Sequence, residues 1–422
     1  MRITTTIFIL IALLYNYRRG RLVGSASVWA ACYLMIFVLF PTNGIEGYTI
    51  NNTSLIDLYA VIGAFMFLLG ILWGENVKIK PHKILNKVYH KPIFRRAFVF
   101  FIISTVLAVV VFIAQHGIGA VIGILLGSVT SKGIALGGEQ AGKEEIFIQL
   151  MLPCMLAIWV SAESHKEKFL RVICLAIFCV THILFSFTRI FLITVLAIVL
   201  IYELRNKRRK VQMLMLSFGV LALLLLMVSM NFIRCFGLGE DISFETFLDI
   251  GYVFESTDFG MSYIWFDQLL DYGYPNISIF TWLKPLYAFI PRSIWPSKPE
   301  PLSLQILKKI DPGLAADGYS TAGNSVLGEG YAIIGVIGIF LFPLIWGIIC
   351  TYFDKRYYYR INKGIDDNIE NIIYYIFAIF IMMSAQRGDW SQYMTIFIYF
   401  WIIPLLFLSK KYRRTNVITQ QL

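Results

Sequence analysis

Two short motifs between residues 290 and 338 contain two cations, two acids and several helix breakers, beside an apolar run long enough to span a membrane. The chain there reads I-P-R-S-I-W-P-S-K-P-E-P and, further on, G-N-S-V-L-G-E-G-Y-A-I-I-G-V-I-G. An ionisable group is costly in a membrane and is retained mostly where it has a function. We therefore expect the chemistry of this chain near Arg292, Lys298 and Glu329.

Two carboxylates are candidates for a general base. Glu329, in Gly328-Glu329-Gly330, stands at the start of a long apolar run, and Asp389 follows Arg387-Gly388 near the C-terminus. Partial burial would raise the pKa of such a carboxyl and let it take a proton from a sugar hydroxyl. Alternatively, Glu329 complements a helix dipole, and Asp389 forms a salt bridge with Arg387 or another cation.

The informative arginines that fall outside the basic connectors of the chain are Arg189, Arg292 and Arg387. Guanidinium groups bind phosphates through paired hydrogen bonds and can stabilise departing phosphates in place of a metal ion. The alternative for each is snorkelling to lipid headgroups. Arg234 and Lys284 are expected to be surface or headgroup contacts.

Signatures of nucleotide and metal sites are missing from the sequence. There is no G-x-x-x-x-G-K-[ST] loop, no G-x-G-x-x-G after a strand and no D-x-D in an outer connector. The six cysteines include no C-x-x-C pair, and most fall in apolar runs. The sequence therefore predicts no metal and no cofactor, and a lipid-linked pyrophosphate would be a donor that is already activated.

The elements that must position these residues are membrane-spanning helices. The chain is 58% hydrophobic and only 15% charged, with a mean hydropathy of +0.70, and apolar runs of spanning length recur along it. The net charge of +11 comes from Lys and Arg in alternate connectors. That pattern is typical of the positive-inside rule and excludes nucleic acid as the partner that the charge serves.

Joining the basic and non-basic connectors predicts an all-α polytopic protein with about eleven helices of roughly 20 residues. The N-terminus would lie outside, the C-terminus inside, and residues 1–422 would form a single integral membrane domain. Residues 231–325 would form a large outer loop between helices 8 and 9. The predicted spans are near 3–15, 22–40, 55–73, 97–115, 146–162, 170–186, 189–203, 211–230, 326–350, 370–386 and 390–408.

Two segments need a more detailed prediction. The apolar stretch from Phe169 to Tyr202 is too long for one ordinary span and short for two. A single span would place the cations between Arg205 and Lys210 outside, so we expect a tight hairpin with its turn at Ser186–Arg189. The outer loop is too long to lack structure of its own. Within it, Tyr263–Leu270 and Phe280–Ile290 are expected to form short amphipathic helices at the membrane interface.

These residues carry a resemblance to a known family. The two motifs quoted above, with F-S-F-T-R upstream and Q-R-G-D downstream, resemble those of Wzy-type O-antigen (oligosaccharide repeat-unit) polymerases. In topology the resemblance covers the whole chain, and in motif it is confined to these segments. Wzy-type proteins are similar to lipid-dependent glycosyltransferases of the GT-C class, which are all helical with a large outer loop.

The resemblance implies an activity and roles for the candidate residues. A growing glycan would pass from undecaprenyl pyrophosphate to a new lipid-linked repeat unit, at the periplasmic face of the bacterial inner membrane. Glu329 would take the proton, with Asp389 as the second choice. Pyrophosphate and substrate binding would fall to Arg189, Arg292, Lys298, Arg387 and Tyr331. Trp295, Tyr319 and Trp390 would stack on sugars or anchor at the interface.

The implied partners are undecaprenyl-pyrophosphate-linked glycans, membrane lipids and a chain-length regulator, with no nucleic acid. Two alternatives remain open. An O-antigen ligase has the same donor but a lipid A-core acceptor. A lipid-linked oligosaccharide flippase or another transporter would place ionisable groups near the middle of its spans, whereas the cations here fall in outer connectors.

Overall fold

The computed structural model describes residues 1–21, 24–39, 49–79, 90–125, 143–185, 189–204, 258–316, 322–362 and 368–409, with isolated helical positions at 211, 214 and 218. Within these ranges every regular element is a helix and no β-strand occurs. The expected all-α class is confirmed.

The α-helices are numbered in chain order. The first seven are α1 (Arg2–Arg18), α2 (Ser25–Phe37), α3 (Thr53–Asn76), α4 (His90–Leu125), α5 (Lys143–Ser161), α6 (His165–Phe185) and α7 (Arg189–Leu204). After α8 (Asp258–Tyr272) and a 3-10 turn at Ile279–Leu283 come α9 (Lys284–Tyr287), α10 (Leu302–Ile310), α11 (Pro312–Ala316), α12 (Ser325–Ile334), α13 (Val336–Asn362), α14 (Asn368–Arg387) and α15 (Trp390–Ile396). A π-helical turn at Phe397–Ile402 leads to α16 (Ile403–Ser409).

Six helices in the described ranges are long and apolar enough to cross a membrane: Thr53–Asn76, Pro92–Ile124, Glu144–Ser161, His165–Phe185, Val336–Asn362 and Trp390–Leu408. Shorter apolar helices occupy Ser25–Phe37, Phe191–Leu204, Ser325–Ile334 and Glu370–Ile381. The chain is therefore a helical membrane protein. The span predicted at 211–230 lies almost wholly outside the described residues.

The structure has a helix break where the sequence predicts one, and a second break where it predicts a continuous span. The stretch from Phe169 to Tyr202 forms two helices, α6 and α7, whose ends flank the expected turn. The single span predicted at 326–350 is instead broken at Gly335, where φ is 64° and ψ is −148°. Only glycine adopts this backbone conformation readily, so α12 and α13 are separate helices and α13 runs on to Asn362.

The fold consists of two compact units. The first contains Met1–Ile84, Asp249–Asp366 and Phe377–Phe397, and the second contains Leu85–Leu248, Asp367–Ile376 and Ile398–Leu422. Every residue of the candidate site except Arg189 belongs to the first unit.

In the first unit, α3 and α13 pack closely and run in the same direction. A Cβ on Gly70 would overlap the Leu344 carbonyl oxygen, and a Cβ on Gly347 would overlap that of Phe67. Small residues allow helix backbones to approach in this way in membrane proteins. Beside this pair, the buried Trp29 of α2 stacks on Phe67 with 3.7 Å between ring centroids.

Buried carboxylates join the helix ends of this unit. At the N-terminus of α3, Asp267 of α8 accepts hydrogen bonds from the backbone N–H groups of Asn51 (3.1 Å) and Asn52 (2.8 Å). At the N-terminus of α2, Asp354 of α13 accepts from the backbone N–H of Ser25 at 2.8 Å. Because the first N–H groups of a helix lack partners within it, these contacts hold the helices in register.

The second unit is built around α4 and α5. Phe112, Ile148 and Phe185 form part of its buried apolar cluster. At the other end of α5, the Arg171 guanidinium lies 4.3 Å from the centroid of the Trp159 ring. Helix α4 is kinked at Gly117, where φ is 78° and ψ is 162°.

The described part of the predicted outer loop contains short helices. Tyr263–Leu270, expected as an amphipathic helix at the membrane interface, is instead packed inside the protein. Residues Tyr263–Leu270 lie in α8, and Tyr263, Phe266 and Leu269 are each no more than 1% exposed. Helix α8 contacts α2, α3, α10 and α12, so it is buried on several sides. By contrast, Phe280, Leu286 and Phe289 are 63%, 71% and 67% exposed.

Candidate active site

Helix α12 brings Glu329 into a crowded position. The backbones of Gly330 and Gly338 touch, because a Cβ on Gly330 would lie 2.6 Å from the Gly338 carbonyl oxygen. On the preceding side, a Cβ on Gly328 would lie 2.6 Å from Cβ of Asn324. The two glycines that flank Glu329 therefore allow the chain to fold tightly around it, and its side chain is only 1% exposed.

Two other segments donate hydrogen bonds to the Glu329 carboxylate. The indole Nε1–H of Trp282, in the 3-10 turn, donates to Oε1 at 3.0 Å, and the backbone N–H of Trp390 donates to the same oxygen at 3.2 Å. No described residue donates to Oε2. Glu329 thus joins three parts of the chain and keeps one oxygen available to a ligand.

Asp389 is also buried but is more fully hydrogen-bonded. Its Oδ2 accepts from the backbone N–H of Ser303 at 3.2 Å and from the Ser303 hydroxyl at 2.7 Å, and its Oδ1 accepts from the Ser391 hydroxyl at 2.9 Å. It is the N-cap of α15 and has a positive φ of 52°, which Asp tolerates better than most residues. This carboxylate links α10 to α15.

Arg292 and Lys298 are held by backbone carbonyl groups. The Lys298 ammonium donates to the carbonyl oxygens of Ala288 at 2.7 Å and Ile290 at 2.9 Å, and Arg292 Nη1 donates to the Lys298 carbonyl oxygen at 3.0 Å. Neither side chain forms an ion pair with a carboxylate in the described ranges. Their positive charges are therefore uncompensated.

Lys284 lies near this pair of cations and near Asp389. It is half-buried at the start of α9, and α9 packs against α15. Burial is the main cause that lowers the pKa of its ammonium below 10.5; Lys298 and Arg292 lower it further, and Asp389 opposes the shift. The sequence indicated only a surface or headgroup contact here, whereas this ammonium is partly removed from water.

Aromatic rings surround the two carboxylates. The Trp282 and Trp390 centroids are 4.6 Å apart, and Trp346 and Phe342 contact this pair at 6.0 and 5.5 Å. Three buried polar atoms nearby lack partners among the described residues: Trp390 Nε1, Asn324 Oδ1 and Ser325 Oγ. Because such groups are costly when unsatisfied, they are candidates for contacts with a polar ligand.

The remaining predicted residues are distributed differently. Arg387 ends α14, two residues before Asp389, and Arg189 begins α7 in the second unit, but both side chains lie outside the described part. Tyr331 is two positions from Glu329, which places it on the opposite side of α12, and its ring packs 6.3 Å from that of Tyr274. The Trp295 ring lies 5.1 Å from that of Tyr287. Tyr319 and Arg234 are outside the described residues.

Two residues of the site had no clear signal in the sequence. Trp282 stands in an apolar run in which a tryptophan is unremarkable, and Ser303 is one of many serines. Only the packing of the 3-10 turn and of α10 reveals that they reach Glu329 and Asp389. Across the described ranges, no group of three or more His, Cys, Asp or Glu side chains could hold a metal ion.

Comparison with known proteins identifies no relative of this chain. No protein-family model, no curated protein and no solved structure matches the chain. Fold and site together define a helical membrane protein in which two buried carboxylates and an aromatic cluster lie near Lys284, a cation with no carboxylate partner among the described residues.

Proposed function

We propose that this protein is a lipid-linked glycosyltransferase that polymerises oligosaccharide repeat units carried on undecaprenyl pyrophosphate into O-antigen or a related surface polysaccharide. The observation that carries the proposal is that the first unit holds two buried carboxylates together with three cations that form no ion pair among the described residues, and that Lys284 lies near Asp389 and near the other two cations. A base is needed for a sugar hydroxyl, and cations are needed for a pyrophosphate. The aromatic rings and unsatisfied polar atoms beside Glu329 suit a sugar between them.

The reaction would proceed by displacement of the lipid pyrophosphate. The acceptor hydroxyl oxygen bonds to the anomeric carbon of the donor, and the bond from that carbon to the phosphate oxygen breaks, leaving its electron pair on the phosphate. The hydroxyl proton passes to Glu329, whose Oε2 is unoccupied by described donors. Arg292 and Lys298 stabilise the negative charge on the released pyrophosphate, with Arg189 and Arg387 as further candidates.

Apolar side chains beside the cations support a lipid-linked donor. Between the 3-10 turn and the Arg292 turn, Phe280, Leu286, Phe289 and Ile294 are all more than 60% exposed. A water-facing loop would not be expected to expose so many large apolar side chains in one short segment. Contact with the acyl boundary of a bilayer would cover them and would place the cations at headgroup level, where a polyprenyl pyrophosphate carries its phosphates.

The proposed topology has about eleven spans of roughly 20 residues, with residues 231–325 outside and the site at the periplasmic face of the inner membrane. Lys and Arg in alternate connectors support it. Membrane lipids and a chain-length regulator are the proposed further partners. No metal, nucleotide or other cofactor enters the proposed reaction.

Deletion of the gene in its native host tests the proposal. Surface polysaccharide would be separated on a gel after complementation with wild type, Arg292→Ala, Glu329→Ala or the control Lys309→Ala, whose side chain is exposed on α10. We expect the deletion to leave core carrying a single repeat unit. Wild type and the control should restore long chains, and the two site variants should not, at matched expression in the membrane.

Other band patterns separate the alternatives. Long chains that persist in the deletion strain would contradict the proposal. Loss of even the single capped unit would favour an O-antigen ligase or a flippase. These two differ in turn, because a ligase mutant accumulates polymer on undecaprenyl pyrophosphate, whereas a flippase mutant does not make it.

A further inference from the structure

The half-buried ammonium of Lys284 makes no hydrogen bond and no ion pair with any described residue. An ammonium partly removed from water costs free energy unless its N–H donors have acceptors and its charge is balanced by a negative group. Its three N–H donors are therefore free for a ligand with several acceptor oxygens.

The surroundings of Lys284 indicate the sign of that ligand. Arg292 and Lys298 lie close enough to act on its ammonium, and both use their hydrogen bonds on backbone carbonyl oxygens rather than carboxylates. Asp389 is the one carboxylate acting on Lys284 among the described groups, and it already accepts three hydrogen bonds from serines. Three cations thus lie together in a segment with too little negative charge, which favours an anion of more than one charge.

The position of Lys284 sets it apart from the other two cations. It follows Trp282 by two residues, and the Trp282 indole contacts Glu329. Helix α9 also packs against α15, whose N-cap is Asp389. Arg292 is exposed in the turn that follows. Of the three cations, Lys284 is the one that lies in a helix packed against α15.

We propose that Lys284 is the inner ligand of a pyrophosphate group, binding the phosphate nearest the carboxylates while Arg292 and Lys298 bind the outer one. This inference rests on the proposed function and adds to it which cation binds which phosphate. The inner phosphate is the one esterified to the sugar. Negative charge that develops on its bridging oxygen as the bond to the anomeric carbon breaks would then be stabilised by Lys284.

Direct binding to the purified full-length protein tests the assignment, with farnesyl pyrophosphate as the probe. Affinity would be measured by titration calorimetry for wild type, Lys284→Met, Lys284→Arg and the control Lys309→Ala. A lost hydrogen bond between charged groups corresponds to a loss of affinity of about 10- to 100-fold. We expect that loss for Lys284→Met, with little change for the control.

The pH dependence of the affinity for farnesyl pyrophosphate gives a second measurement. It would be the same in wild type and Lys284→Arg if Lys284 had only a structural role. The charged and titratable groups around Lys284 are Asp389 at α15, Lys298 and Arg292 in the following turn, and Glu329 beyond Trp282. Because the pKa of Lys284 lies below 10.5 in the free protein, wild-type affinity should be full below that pKa and fall as pH rises towards 10.5. Lys284→Arg keeps its charge at this position over the range, so its affinity should fall less than that of wild type.

The outcomes distinguish this inference from the proposed function. Equal affinity of wild type and Lys284→Met, or an identical pH dependence of wild type and Lys284→Arg, would overturn the role of Lys284 and leave the polymerase proposal standing. No binding of farnesyl pyrophosphate by the wild type would overturn both. If Lys284→Met fails to fold, the comparison of wild type with Lys284→Arg decides.

Discussion

Glu329 and Asp389 are both buried, yet their surroundings differ in a way that separates their roles. Glu329 receives two hydrogen bonds on one oxygen, and Asp389 receives three that occupy both. A general base needs an oxygen that can reach the substrate proton. The geometry therefore favours Glu329 as the base and gives Asp389 a structural part in holding α15 to α10.

Glu329→Gln tests the proposed base. The amide keeps the size of the side chain and an oxygen that can accept from Trp282 and Trp390, but it cannot take a proton. We expect the rate of polymerisation by the purified protein to fall about 10²- to 10⁴-fold, with an unchanged temperature of unfolding. Activity near the wild-type level would show that another group takes the proton.

Asp389→Ala tests the structural role. It would leave the Ser303 N–H and hydroxyl without their buried acceptor, a loss of about 1–3 kcal/mol, which thermal unfolding in detergent would measure. Glu300→Ala is the matched control, because its salt bridge to Lys308 is exposed and contributes about 0–1 kcal/mol. An Asp389→Ala variant as stable as this control would refute the link between α10 and α15.

At the scale of elements, the break at Gly335 is what places Glu329. It separates α12 from α13 and lets the two helices fold onto each other where Gly330 meets Gly338. A continuous helix through 326–350 would keep residues eight apart in sequence about 12 Å apart along its axis. The site therefore depends on glycines in two neighbouring helices rather than on the length of the apolar run.

Gly338→Ala should disrupt this contact. Its Cβ would overlap the Gly330 carbonyl oxygen, and a backbone atom cannot move aside as a side chain can. We therefore expect the free energy of unfolding to fall by at least about 1–3 kcal/mol, as at a typical overpacked site, and activity to be lost. Gly119→Ala is the control, since nothing lies within 4 Å of its Cβ. Equal unfolding temperatures of both variants, measured in detergent, would contradict the close approach.

At the scale of the whole molecule, charge determines the expected orientation. Arg21, Glu75 and Lys355 meet at the ends of α1, α3 and α13. By contrast, Asp57 and Glu329 stand near the starts of α3 and α12, and Asp267 contacts the start of α3. Cations concentrated at one end of parallel helices are typical of a cytoplasmic face. The end with Glu329 would then face outward.

Labelling of single cysteines tests this orientation. In a chain whose six native cysteines are replaced, a membrane-impermeant maleimide should label Ser297→Cys in intact spheroplasts. It should label Lys166→Cys only after lysis; both positions are exposed. Labelling of both from the same side would show that the proposed topology is wrong.

The sequence by itself determined the class of the protein. Long apolar runs must be helices in a bilayer, because backbone hydrogen bonds have no other partners there. The break between α6 and α7 also followed from the sequence, since a single span would have placed the cations between Arg205 and Lys210 on the outside. Glu329 and Asp389 could be selected because buried charges are rare enough to be noticed.

Only the tertiary structure decided which residues meet. The indole of Trp282 reaches Glu329 across 47 positions of sequence, and Ser303 reaches Asp389 across 86. Neither residue type is unusual enough to be singled out beforehand, and the partner of a hydrogen bond is set by packing rather than by composition. Lys284 changed from an expected headgroup contact to a half-buried cation for the same reason: its burial comes from helices that are distant in the chain.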